Sequence, residues 1–540
     1  MGRTGAVQCV HHSAGQGQSG HHQAVHPLNP ALQDTLDALL LHGRHARDAG
    51  DVALARRCFE QARQMAPDKP EITIDLAAAC LALDDLADAQ KFAEATLRHG
   101  PDWRASFISA QVFKRLGQPD VQADQLATVL ADPRLPAPVR AAAFSELADL
   151  QLNAFGDARA AAESLRLAAQ AKPALALEAV LAGLVADLYD GGRPRLDIAR
   201  GFVALATTLP APEAPPARPR RPFGERPRIG LVASQFCASP VGFLTLGSLT
   251  ELARSADLIF FDRGSKADWA QTAFRAIAHR WLSCPGVDTA TLHRLMVAAD
   301  LDILIDLGGW TDPTALAAVA GRPARRQWKW VGGQSLTTGL DCFDGFITDR
   351  RQTPINAEPL YTEPLLLARH GYVTYTAPPY APELAAAAAS PPEPIGKPAP
   401  GVLALVSNPA KISAATARAV LKLKPGKLLL IDQRWRHQAT REAAQKRLGS
   451  LMDVAEFITP ANHPEYLQAL RDTDAAFVDT TPYAMGLTAI ELRLLGKHIV
   501  TQRRDTGGLM CERHCIGHIG ADRFDHHELL ARQMLQWHRS

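Results

Sequence analysis

The sequence predicts an α + α/β chain, in which an N-terminal helical solenoid precedes two domains each built on a parallel sheet. Three observations carry this prediction. Small and apolar residues recur at an interval of 34 near the start of the chain. Two proline-rich stretches, 210–227 and 377–400, interrupt it. Beyond the first of them, short apolar runs alternate with helical stretches, the pattern of a sheet buried on both faces.

The repeat comes first in the chain. Ala55, Ala89 and Ala123 stand 34 residues apart, and Cys58, Phe92 and Leu126 keep the same interval. Pro67 and Pro101 do too, and turn residues fall at Gly50–Asp51, Asp84–Asp85 and Gly117. A period of 34 with a small-residue stripe and a closing proline resembles the tetratricopeptide repeat. Each such unit is a pair of helices that cannot bury its apolar faces alone, so neighbours stack, and alanine lets the helices approach closely. A degenerate fourth unit follows at Gly156–Pro173, and helix continues to about Leu209. The solenoid is therefore expected over 31–209. Arrays of this kind hold peptides or partner proteins, so an attached enzyme is expected to act on a protein.

The remaining segments follow in order. Residues 1–30, rich in Gly, Ser, Gln and His, read as a disordered tail, and its histidines (His11, His12, His21, His22, His26) as part of that tail rather than a metal site. The stretch 210–227 holds seven prolines in 18 residues and reads as a semi-stiff linker. Strands are expected at 228–234, 257–262, 301–307, 327–332 and 345–349, giving a first α/β domain over 228–376. A second linker, 377–400, carries eight prolines around an alanine run. Strands resume at 401–407, 427–433, 456–460, 475–480 and 498–502, giving a second domain over 401–540. Two such domains leave a cleft between facing carboxyl ends of strands, where open sheets bind ligands.

Bulk composition excludes several classes. At 540 residues, 47% apolar and 21% charged, the chain is an ordinary globular protein of about three domains. A formal net charge of +2 gives no basic field for nonspecific nucleic-acid binding. No run approaches the ~20 apolar residues of a membrane span. The opening residues lack the apolar core of a secretory signal, and Met1–Gly2 does not make a myristoylation motif, since Val7 stands near where a Ser or Thr is wanted. Eight scattered cysteines read as reduced, mostly buried thiols. The expected compartment is the cytoplasm.

Three segments could carry chemistry. In Ser407–Ser413, directly after a strand, Lys411 stands beside a helix N-terminus and is placed to hold a phosphate, or is a surface lysine in a turn. In Asp479–Gly496, Gly486–Thr488 opens a helix whose Glu491 could accept hydrogen bonds from both ribose hydroxyls, or could only complement the helix dipole. In Ser234–Leu249, small residues including Ser239 and Gly242 suit close approach of a ligand and equally suit tight strand–helix packing. The spacing of Cys511, His514, Cys515 and His518 fits i, i+4 zinc ligation, but a structural zinc site draws on two segments and one is evident. Packing is the better account there, and no metal is expected. His526–His527 has no stronger claim.

RIGLVASQF (228–236), SPVGFLT (239–245), LDILIDLGGWT (301–311), GRPARRQWKWVG (321–332), ITDRRQTP (347–354), VSNPAKI (406–412) and DTTPYAMGLTAIELRLLG (479–496) occur in this order after the repeats. Together they resemble the catalytic region of the protein O-linked N-acetylglucosaminyl transferase and SPINDLY family, over roughly 30–540. The resemblance implies a tetratricopeptide-type solenoid followed by a GT-B-like pair of Rossmann-type domains. It implies an inverting, metal-independent transfer of sugar from a nucleotide donor to Ser or Thr hydroxyls of a protein recruited by the repeats. The donor is a co-substrate and no cofactor is needed. On that resemblance Lys411 is the catalytic contact to the donor's phosphates, and Asn408, Thr488 and Glu491 orient the donor.

The chain departs from the family in ways with physical consequences. The histidine of a family His-Pro pair is Ser239 here, whose hydroxyl cannot act as a base near neutral pH. Gly486 and Leu487 replace two members of a His-Thr-Thr stretch, and Gln502–Gly508 introduces Arg503 and Arg504 near the donor. Guanidinium grips carboxylate bidentately, so these arginines suit an acidic sugar. Similar repeat-bearing bacterial proteins modify flagellin with a nonulosonic acid from a CMP-sugar. The donor is thus UDP-N-acetylglucosamine or a CMP-nonulosonate, and flagellin is a candidate acceptor. The alternative is a non-catalytic repeat scaffold with a degenerate transferase domain.

Overall fold

The computed structural model describes residues 30–216, 219, 225–332, 336–353, 355–501 and 521–539. The expected tail lies outside the described residues except for Pro30, which opens the first helix. The chain divides into two compact units between Val112 and Phe113, within the helix Trp103–Arg115.

The first unit is a run of antiparallel helix pairs: Pro30–Asp48, Val52–Met65, Pro70–Ala82, Leu86–Leu97 and the start of Trp103–Arg115. The predicted turns are where the chain reverses, and Gly50 (φ 85°) and Asp84 (φ 61°) take the left-handed conformation that ends a helix. Asp51 and Asp85 then cap the next helices by accepting from Leu54 and Asp88 N–H at 2.9 and 3.2 Å. Ala55 and Ala89 are fully buried, the small side chains at which the helices meet. A Cβ on Gly43 would fall 2.7 Å from the Phe59 ring, the same need for close approach.

The second unit holds the rest of the helical array and two parallel sheets. The first sheet comprises β1 (Arg228–Ala233), β2 (Asp257–Asp262), β3 (Arg280–Ser283), β4 (Ile303–Asp306), β5 (Arg326–Trp330), β6 (Gly345–Thr348) and β7 (Leu365–Leu367). Their order is β3-β2-β1-β4-β5-β6-β7. The second comprises β8 (Val402–Leu405), β9 (Lys427–Ile431), β10 (Ala455–Ile458), β11 (Ala476–Val478) and β12 (Ile499–Val500), in the order β10-β9-β8-β11-β12. All pairings are parallel; Leu231 of β1, for example, faces Phe260 on one side and Ile305 on the other. Strand order reverses between β1 and β4 and between β8 and β11, so each sheet opens a crevice at its carboxyl edge there.

Two strands escaped the sequence. β3 (RWLS) is a partly exposed edge strand with polar ends, and β7 (LLL) is apolar but only three residues long, so neither makes an apolar run of ordinary strand length. Two further departures concern chain segments. The stretch 377–400, read as linker, contains the helix Glu383–Ala389, whose Leu384 and Ala388 are buried in the core of the first sheet. The last helix, His527–Arg539, was assigned to the second domain but returns to the first sheet. Leu530, Ala531 and Met534 are buried in that core, and Arg326 donates to the Trp537 carbonyl at 2.7 Å.

The proline-rich stretch 210–227 separates neighbours in sequence but not in space. Leu184, Leu188, Ile198 and Phe202, from helices before it, share a buried core with Phe261, Leu304 and Trp310 after it. Gly339 (φ 80°) lets the chain pass the Phe202 backbone, since a Cβ there would meet its carbonyl oxygen at 2.5 Å.

Candidate functional site

The two sheets of the second unit face each other across a cleft of about 760 Å³. Its wall is built from loops at the carboxyl ends of strands of both sheets. Gln235, Ala238–Val241, Phe243 and Leu244 follow β1, Thr311 follows β4, and Val331 and Gly332 follow β5. From the other side come Lys411 after β8, Asp432–Arg434 after β9, Pro460–His463 and Tyr466 after β10, and Tyr483, Ala484, Gly486–Thr488 and Glu491 after β11. Four of the predicted residues therefore meet here: Ser239, Lys411, Thr488 and Glu491.

Lys411 ends a short 3₁₀ turn, Pro409–Lys411, and its Nζ lies 4.7 Å from the centroid of the Tyr483 ring. Burial in the cleft wall pulls its pKa down to about 8, against the opposing pull of Asp479, while Asp432 and Arg434 act in opposite senses. Arg434 is itself held, donating to both carboxylate oxygens of Asp432 at 3.0 Å and to the Asn153 carbonyl at 3.0 Å. A cation at this wall, next to a helix N-terminus opened by Gly486, makes an anion-receptive corner.

Glu491 is almost fully buried and reaches the cleft through a partner. His463 Nε2 lies 2.8 Å from Glu491 Oε1, and His463 Nδ1 lies 2.7 Å from the Tyr380 hydroxyl. The imidazole is stacked against Tyr466 and packs on Phe243. Thr488 accepts from the Tyr466 hydroxyl at 3.2 Å. Ser239 caps the helix Pro240–Ala253, accepting from Gly242 N–H at 3.2 Å and donating to the Gln235 carbonyl at 3.0 Å.

Two predicted residues lie off the cleft wall. Asn408 turns its side chain to cap its own 3₁₀ turn, accepting from Ala410 N–H at 3.0 Å, and it abuts Gly156 of the helical array. Gly242 sits where a Cβ would be 2.1 Å from the Cys237 carbonyl oxygen, so the close approach of the loop backbone between β1 and its helix is its reason for being glycine. Arg503, Arg504 and the Cys511–His518 cluster lie outside the described residues. Among the described residues, no group of three or more His, Cys, Asp or Glu is arranged to hold a metal. Cys58, Cys80, Cys237, Cys284 and Cys342 are buried free thiols. Among the described residues no helix is long and apolar enough to cross a membrane.

Sequence reasoning missed His463, Tyr380, Tyr483 and the Asp432–Arg434 pair. A signal existed for the first. Asn462-His-Pro-Glu465, four residues after β10, starts a helix, with Asn462 accepting from Glu465 N–H as its cap and Glu465 accepting from the preceding Ala461 N–H. The residue after such a cap stands at the carboxyl edge of the sheet, where His463 is.

A buried pair braces the opposite wall. Lys329 of β5 is fully buried, with Nζ 3.7 Å from Asp306 Oδ2 and donating to the Gly332 carbonyl at 2.6 Å. Asp306 also accepts from Gly308 and Gly309 N–H at 3.1 and 2.8 Å. Burial lowers the lysine's pKa and raises the aspartate's, each countered by the other's charge.

Comparison with known proteins agrees with this architecture. A tetratricopeptide-repeat family model matches residues 46–110. A SPINDLY protein of Eustoma exaltatum subsp. russellianum, named a probable UDP-N-acetylglucosamine–peptide N-acetylglucosaminyltransferase, is 27% identical over 271 residues, 47% of this chain and 28% of its own length. Its counterpart from Arabidopsis thaliana is 25% identical over 331 residues, 57% of this chain and 35% of its own. The matched stretches thus span about a third of these relatives. In fold, the chain is similar to a mutant of the Thermobaculum terrenum O-GlcNAc transferase, with a TM-score of 0.64 and 22% identity, covering 95% of this chain and 94% of that one.

Proposed function

We propose that this chain, which resembles the SPINDLY and O-GlcNAc transferase family in sequence and in its GT-B-like fold, is a protein O-glycosyltransferase. The observation that carries the proposal is Lys411, a cation at the wall of a cleft made by the carboxyl ends of two facing parallel sheets.

The chemistry follows from that position. In an inverting transfer the acceptor hydroxyl oxygen bonds to the anomeric carbon as the bond to the nucleotide's phosphate oxygen breaks. Negative charge grows on the departing phosphate, and the largest electrostatic need is to meet it there. Lys411 and the N–H groups opened by Gly486 supply that charge, and no metal is required. Thr488 and the His463–Glu491 pair orient the donor, and Ser239 closes the facing wall as a helix cap. The electron pair of the broken bond stays on the nucleotide phosphate, and the acceptor hydroxyl's proton is released to water. The repeats recruit the protein acceptor, with flagellin as the candidate. The donor is UDP-N-acetylglucosamine, as in the names of the relatives, or a CMP-nonulosonate gripped by Arg503 and Arg504. Free buried thiols fit the cytoplasm as the place of action.

A non-catalytic scaffold is the second reading, favoured by the position of Asn408 and Gly242 off the cleft wall. Thermal unfolding with UDP, GDP and CMP separates the two. A nucleotide at 100 times its dissociation constant adds about 2.7 kcal/mol of stability. Stabilisation by one of them supports the transferase; none by any supports the scaffold. Intact-mass analysis of acceptors from cells with and without the gene then identifies sugar and target together.

A further inference from the structure

The helix Ala176–Asp190 belongs to the helical array, yet its end reaches the cleft wall. The Tyr189 ring meets the Tyr483 ring edge-on, with centroids 4.9 Å apart at 84°. Tyr483 in turn lines the cleft and presents its face to the Lys411 ammonium at 4.7 Å. Just beyond the helix, Gly191 is close enough to Pro482 that a Cβ would stand 2.8 Å from its ring. Ala158, Ala162 and Ala186 of the array enclose Ala410, the neighbour of Lys411. Arg434 leans on the same array through the Asn153 carbonyl.

Resting on the transferase reading, we propose that Tyr189 is a positioning residue for the cleft lysine, its ring, packed perpendicular to that of Tyr483, fixing the Tyr483 plane so that its face carries the Lys411 ammonium. The last helices of the acceptor-recruiting array are then a structural part of the phosphate-binding wall. An edge-to-face pair fixes both ring planes. A cation–π contact requires the ammonium over a face, so a tilted Tyr483 releases Lys411. The groups facing Lys411 are Tyr483, Asp479 at the end of β11, and Asp432 and Arg434 after β9.

Losing the ring has two effects on Lys411, of opposite sign. It removes an attraction for the charged form, which lowers the pKa, and it admits water, which raises it. Burial dominates in the intact wall, where the lysine titrates near 8. Opening the wall therefore moves the titration up.

The test reads Lys411 directly in the full chain. Competitive acylation with acetic anhydride over a pH series, followed by peptide mass spectrometry, gives the titration of that one amine. Tyr189→Leu is expected to raise it by about one pH unit, and Tyr189→Phe, which keeps the ring edge, to leave it in place. Tyr483→Leu should raise it too, and carries the test should Tyr189→Leu fail to fold. Titration unmoved in either leucine variant, or moved equally in Tyr189→Phe, overturns the proposal. Stabilisation by UDP, GDP and CMP is measured alongside. If no nucleotide stabilises the wild type but Tyr189→Leu shifts Lys411, the positioning role stands and the transferase reading falls. If a nucleotide stabilises the wild type and Tyr189→Leu leaves the Lys411 titration unmoved, the reading stands and the positioning role falls.

Discussion

His463 is pinned at both ring nitrogens, with Nε2 2.8 Å from Glu491 Oε1 and Nδ1 2.7 Å from the Tyr380 hydroxyl. An ionised carboxylate can only accept, so Nε2 carries a hydrogen, and in the neutral imidazole Nδ1 then accepts from Tyr380. One tautomer is thereby selected, and a buried carboxylate is satisfied by a residue that itself faces the cleft.

Removing the imidazole should therefore cost stability as well as donor binding. His463→Ala leaves the Glu491 carboxylate, 1% exposed, without this partner, and the expected loss is about 1–3 kcal/mol. Glu491→Gln keeps an acceptor for Nε2–H and should lie within about 1 kcal/mol of the wild type. Urea unfolding of the two variants checks this. Equal stability of His463→Ala and wild type would show that the pair does not support the fold.

Lys411 sets a pH dependence with a definite sign. Its ammonium must be charged to meet a phosphate, and its pKa is pulled down to about 8 by burial. Transfer measured as kcat/KM should thus hold below that value and fall as pH rises through it, since kcat/KM reports the free enzyme. A bound nucleotide's negative charge favours the ammonium, so the limb in kcat should lie higher. Lys411→Arg, always charged, should abolish the limb, and Lys411→Ala should cost about 10²–10³-fold. Rates that stay flat through this range in the wild type would remove Lys411 from the reaction.

The pattern that made the fold legible was periodic. Ten of the twelve strands among the described residues were visible because parallel strands buried on both faces read as apolar runs, such as Leu258–Phe261 within β2. The repeat was visible because stacking demands small residues at fixed intervals. What stayed hidden was whatever is decided by tertiary context. Glu491 read as a ribose ligand or as a complement to its helix dipole, because nothing at position 491 announces a histidine 28 residues earlier. Lys329 vanished into QWKWVG, read as an apolar strand, because a lone lysine in a strand carries no mark of a buried partner. The docking of His527–Arg539 on the first sheet also left no local trace, since an amphipathic helix does not say which sheet it covers.

Gly242 separates a packing role from a donor-binding one. Alanine is ordinarily better than glycine in a helix by about 1 kcal/mol. Here the added Cβ would meet the Cys237 carbonyl at 2.1 Å, and the obstacle is backbone. Gly242→Ala should therefore lower stability by about 1–3 kcal/mol. Below its unfolding transition it should bind nucleotide as the wild type does. A variant of unchanged melting temperature but weakened nucleotide binding would return Gly242 to the donor site.

The Asp306–Lys329 pair should behave as one unit. Both side chains are buried to within 1% exposure, so each charge depends on the other and on backbone partners. Lys329→Met leaves a buried carboxylate, and Asp306→Asn leaves a buried ammonium; removing one partner of such a pair costs about 3–5 kcal/mol. The double variant removes both charges, keeps an acceptor oxygen for one of the Gly308 and Gly309 N–H groups, which Asp306 meets with separate oxygens, and should cost clearly less than the sum of the singles. It does not restore the wild type fully, because the ammonium also holds the Trp330 and Gly332 carbonyls at 3.2 and 2.6 Å. Val331 and Gly332 line the cleft, so the residual loss should include weakened nucleotide binding. A double-mutant cycle by urea unfolding measures the coupling. Strictly additive losses would mean that the two residues act separately and that the ion pair does not brace this wall.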